Sequence, residues 1–207
     1  FYIDNDFPEA WKKAIKEGVN WWNEAFKMAG FKEAVQTADF PANDTTFYAG
    51  NLKYSCIRYV PVNLSKVQSK VWVDPRSGEI INGTIFVGHD IVKTIANQRF
   101  IQTAQADKRM RGLQLSEEIL LESIRLNVAR EVGHCLGLAD NASASAAFSV
   151  ESLRSAAFTE QNGIASSVMD ELPYNYIAQP QDDKVQFVQN KLGAYDLYAI
   201  QMGYMLI

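Results

Sequence analysis

The residues with the clearest capacity for chemistry lie in one run, Arg130-Glu131-Val132-Gly133-His134-Cys135-Leu136-Gly137-Leu138-Ala139-Asp140. On a helix, side chains at i and i+4 are about 40° apart and can reach one metal ion, while the residue after the first lies about 100° round. A carboxylate there can act as general base on a metal-bound water. Glu131 has the base position and His134 the second ligand position. Gly137, three residues on, allows a sharp turn, and Asp140, three further, can return a carboxylate oxygen to the same metal. Arg130, at the first ligand position, breaks the pattern. Its guanidinium has no lone pair to give and stays charged.

The chain has only one other histidine, His89. It is a remote candidate for a replacement ligand and more simply a surface or loop residue. Cys135 sits beside His134 but about 100° round the helix, on the side expected to face the core. Cys56 and Cys135 form no framework and are expected as free buried thiols.

The elements that must position these residues can be read from periodicity. Ser116 is a candidate N-cap, followed by Glu117 and Glu118 at the positive end of a helix. Ile119, Leu120, Ile124, Val128, Val132 and Leu136 then keep one face apolar, which predicts a helix over about 116–137. An earlier helix is expected from Pro8 to Ala29, on Trp11, Ile15, Val19, Trp22 and Phe26, with Gly30 as its stop. Strands are expected near 1–3, over 53–60, at 71–73 and over 79–87, the last two joined by the turn Asp74–Gly78. Residues 36–51 and 142–147 read as loose, and a last helix is expected over 193–204. Two long helices and a shorter last one, with a small sheet, make the fold class α+β.

Further blocks carry a resemblance. They are Phe7-Pro8-Glu9 with Trp11, Trp22-Asn23-Glu24-Ala25-Phe26, Ala29-Gly30-Phe31, Asp74 to Ile80, Ser167-Val168-Met169-Asp170, and Tyr195 to Ile200. With the run at 130–140, the chain resembles the metzincin-like (zincin) domain of a family of large bacterial zinc metalloproteases, whose helix reads His-Glu-Val-Gly-His-Thr-Leu-Gly-Leu-Arg-His. The resemblance runs from the first residues to the last. It implies a twisted mixed sheet with long helices above a cleft (1–137, the upper lobe). Below it would lie an irregular-helical lower lobe (138–207). Met169 would be the residue of the Met-turn beneath the metal, and the cleft would take a peptide or protein in extended form against an edge strand near 81–88. The family's zinc is expected to be absent or weakly bound here, because Arg130 and Asp140 stand where the family has histidines. His134 and Asp140 would be vestigial ligands and Glu131 a vestigial base.

With zinc gone, Glu131 and Asp140 would be anions near one another, and Arg130 is expected to turn to the metal position and pair with Asp140. Three functions follow: a degenerate peptidase domain that still binds peptide or protein, an active zinc endopeptidase with an atypical site using Glu131, or a structural or interaction module of an envelope protein. The resemblance also implies a secreted or cell-envelope location, and the opening Phe1-Tyr2-Ile3 reads as a single domain excised from a longer protein. A net charge of −4 argues against a nucleic-acid surface. No apolar run reaches the roughly 18 residues of a membrane span.

Overall fold

The computed structural model describes residues 1–62, 64–112 and 114–206. Five strands form one mixed sheet: β1 (Tyr2–Ile3), β2 (Ala38–Asp39), β3 (Cys56–Val60), β4 (Val67–Val73) and β5 (Ile80–Gly88), in the order β2-β1-β3-β5-β4. Only β4 and β5 are antiparallel, as a hairpin over the Asp74–Gly78 turn must be. The other neighbours run parallel.

This order corrects one expectation. The segment 81–88 is an interior strand, flanked by β3 and β4, and β4 is the edge strand on that side of the sheet. The sequence hid this because β4 begins four residues before the short Val71–Val73 stretch that looked like a strand. Its Gln68, Ser69 and Lys70 interrupt the apolar pattern. A second difference is β2, which lies inside the stretch read as loop.

The helices are α1 (Glu9–Asn20), α2 (Trp22–Met28), α3 (Ile91–Thr103), α4 (Glu117–Cys135), α5 (Val150–Leu153), α6 (Ala156–Asn162) and α7 (Ala194–Tyr204). The expected helix over 8–29 is divided at Trp21, so that Trp22 starts a second segment with its ring fully buried. The core forms where one face of the sheet meets α1 and α4. Ile57, Ile85 and Val87 oppose Ile15, Val19, Ile124, Val128 and Val132, all fully buried. Burying such side chains contributes roughly 1.5–3 kcal/mol each before chain entropy is set against it.

After Cys135 the described chain is irregular, with two short helices and one isolated turn of 3-10 helix at Ala144–Ala147. α7 then returns to pack on α2, where Phe26 and Tyr204 meet edge to face at 5.0 Å. No helix among the described residues is long and apolar enough to cross a membrane.

Candidate functional site

α4 carries the chemical run. Ser116 caps it by accepting from the Ile119 N–H, and Glu117 and Glu118 sit in its first turn. Its far end closes as a Schellman motif. Leu138 N–H donates to the Gly133 carbonyl and Gly137 N–H to that of His134, both at 3.0 Å. Gly137 has φ +90, a conformation that residues with a Cβ rarely adopt. The chain therefore reverses within two residues and brings Asp140 back beside the helix.

Arg130, His134 and Asp140 are brought together. Arg130 Nη2 donates to Asp140 Oδ1 at 2.5 Å, and His134 Nε2 lies 3.2 Å from the same oxygen. His134 Nδ1 lies 2.9 Å from the Leu138 carbonyl. A carbonyl only accepts, so Nδ1 carries a hydrogen and Nε2 is the nitrogen turned to the site. The Arg130 side chain is 26% exposed and that of Asp140 48%. The pair is thus wet enough to be worth no more than about 1 kcal/mol to stability.

Glu131 does not join this group. It is buried, and its Oε2 accepts the backbone N–H of Ser69 at 2.6 Å. Lys66 accepts from the Gly88 N–H, so even-numbered residues of β4 bond to β5 and odd ones turn their polar groups to the free edge. Ser69 is odd. The carboxylate of Glu131 caps a free-edge N–H rather than facing Asp140, as the sequence had suggested. Nothing in the local spacing signals a partner 62 residues away.

Met169 is fully buried beneath the helix. A Cβ on Gly133 would come within 2.3 Å of its sulfur and 2.8 Å of Trp22 Cζ2, so only glycine lets helix, methionine and tryptophan close together. Trp22 also donates its indole N–H to the Ala129 carbonyl at 2.9 Å. The Met169 carbonyl accepts from Asn141 N–H, tying this loop to the residue after Asp140.

The loop has an anchor in Asp196, which lies within the block Tyr195 to Ile200 and carries no signal of such a role in its local sequence. The carboxylate of Asp196, fully buried in the first turn of α7, accepts from Ser167 Oγ at 2.5 Å and from the N–H groups of Val168 and Gly193 at 2.8 Å. Burial raises its pKa above the ordinary carboxylate range, against the pull of these bonds.

The remaining candidates lie elsewhere. Cys135 faces β5, where a Cβ on Gly83 would meet its sulfur at 2.7 Å. Cys56 and Cys135 are free and buried, and burial lifts their thiols to about 11 and about 12. His89 bonds Tyr59 Oη through Nδ1 at 2.7 Å and stacks on Trp11 at 6.0 Å.

A catalytic zinc takes three protein ligands and a water. Among the described residues no three His, Cys, Asp or Glu side chains converge. His134 and Asp140 supply two donors, and the first ligand position, Arg130, holds a guanidinium against the shared oxygen. The residues present do not fit a catalytic zinc.

A mixed α+β fold in which a long helix ends in a glycine turn above a buried methionine loop is consistent with a metzincin-like domain. Residues 112–207, which hold α4, the Gly137 turn and Met169, match the family model described as Met-zincin. Neither a curated protein nor a solved structure matches the chain.

Proposed function

We propose that this is a degenerate zinc metallopeptidase domain. It has lost or much weakened its zinc binding and proteolysis, and its surface still receives a peptide or protein. The observation that carries this reading is the Arg130–Asp140 contact at 2.5 Å, a cation seated on the one oxygen that His134 also approaches. A metal there would have to displace a charge-assisted hydrogen bond and tolerate a neighbouring guanidinium. Binding of an extended ligand is supported by β4, whose outer edge offers the N–H and C=O groups of Val67 and Val71 for strand addition. By its family resemblance the domain would act in a secreted or envelope protein.

Elemental mass spectrometry on protein purified without chelator, followed by zinc titration, tests the reading. The expected result is no stoichiometric zinc and no uptake at micromolar concentration. Near one zinc per chain would overturn it in favour of an endopeptidase with an atypical site.

A further inference from the structure

A cavity of about 210 Å³ lies beside Arg130, between α3, α4 and the chain on either side of Met169. Its walls carry more acid than base. Asp170 and Glu171 both line it, and the one cation among its described lining residues, Arg130, bonds Asp140 through Nη2 and has a buried Nε without a partner. Asp170 is the informative group. It is only 7% exposed, its Oδ1 accepts from the Leu172 N–H at 2.8 Å, and its Oδ2 is buried with no hydrogen-bond partner. Asp170 also has no ion-pair partner among the described residues. Gln102, on the same wall, likewise has a buried Oε1 without a donor.

An unpartnered buried carboxylate oxygen costs more than an unpartnered neutral group, so it dominates what the cavity accepts. The missing partner is a positively charged donor. The rest of the lining suits an alkyl stem behind that charge, because Leu126, Ile164, Val168 and Leu172 supply apolar wall.

We infer that this cavity is a binding site for a basic side chain, the ammonium of lysine or the guanidinium of arginine, with Asp170 as its charge partner. On the proposed function, on which this part of the inference rests, the side chain belongs to the bound peptide or protein.

The cavity is tested first without any peptide. The natural-sequence protein and Asp170→Asn are titrated with n-butylammonium, n-butylguanidinium and n-butanol, following the Leu172 amide by NMR. Asp170→Asn keeps an oxygen for that amide, and its melting temperature checks its fold. Saturable shifts are expected with the two cations and none with the alcohol at equal concentration. The substitution should weaken cation binding about tenfold or more, as loss of one partner of a buried charge pair does. Failure of both cations to bind overturns the inference, with water then satisfying Asp170. Equal binding of butanol, or cations indifferent to Asp170→Asn, overturns it too.

A second titration uses one extended peptide with lysine, arginine, norleucine or glutamate at a single position. Preference for the basic peptides, lost in Asp170→Asn, supports the inference. Binding without that preference overturns it and leaves the peptide-binding function standing. Cations that bind where no peptide does leave the cavity standing and remove the peptide-binding function.

Discussion

Arg130 and Asp140 show how much of a metal site spacing alone can specify. The interval from 130 to 134 to 137 to 140 set where each side chain would point before any contact was known, because helix geometry and one left-handed glycine dictate it. Chemistry did the rest: a guanidinium cannot ligate, but it can neutralise the carboxylate that a metal would have held. The direction of Glu131 was not legible, since its partner Ser69 lies on a strand brought alongside only by the tertiary fold. If Arg130 stands in for the metal, returning donor atoms should return the metal. Arg130→His restores an imidazole one turn before His134, and with Asp140→His the set becomes three imidazoles. We expect this double variant to bind zinc at micromolar concentration or tighter by calorimetry. Zinc at about 100 times its Kd should then raise stability by about 2.7 kcal/mol, seen as a higher melting temperature. A double variant that takes up no zinc would mean that backbone geometry, not only the donors, has been lost.

Among the elements, α4 and the hairpin were legible because their patterns are long or punctuated by Pro and Gly. β4 was read short, and with it the identity of the free edge was missed, because strand order is not written in local sequence. That edge gives Glu131 a role distinct from that of a catalytic base. Removing its carboxylate leaves the Ser69 N–H without its partner, which costs about 1–3 kcal/mol. Glu131→Ala should therefore lower the midpoint of urea unfolding, and Glu131→Gln, which keeps an acceptor oxygen, should lower it less. A surviving general base would behave otherwise: Glu131→Gln would abolish a peptidase activity while leaving stability untouched. The same helix gives a packing prediction. Gly133→Ala places a methyl group where Met169 and Trp22 already sit, and should destabilise by about 1–3 kcal/mol in the same urea measurement. An unchanged midpoint would show that the Met169 loop yields freely.

The whole molecule is closed by its last helix, and the closure runs through one buried carboxylate. Asp196 joins α7 to the loop that carries Met169, so the chain's end and the floor of the candidate site share an anchor. The sequence displayed Asp196 at a helix start but gave no sign that its acceptors serve a loop 28 residues earlier. Its raised pKa has a consequence for the whole fold. A carboxyl group that holds its proton more tightly folded than unfolded favours the folded state most below the unfolded value of about 3.9. That contribution is lost as pH rises through the folded pKa, and the ionised form carries the desolvation cost above it. Asp196→Asn cannot ionise, and its remaining oxygen can still accept the Val168 and Gly193 N–H groups. The difference in unfolding free energy, variant minus natural sequence, should rise as pH increases from about 4 and level off once Asp196 is ionised. Urea unfolding from pH 4 to 8 measures it. Parallel curves across that range would mean that the three hydrogen bonds fully offset the burial of the charge. The anchor would then be electrostatically neutral to the fold.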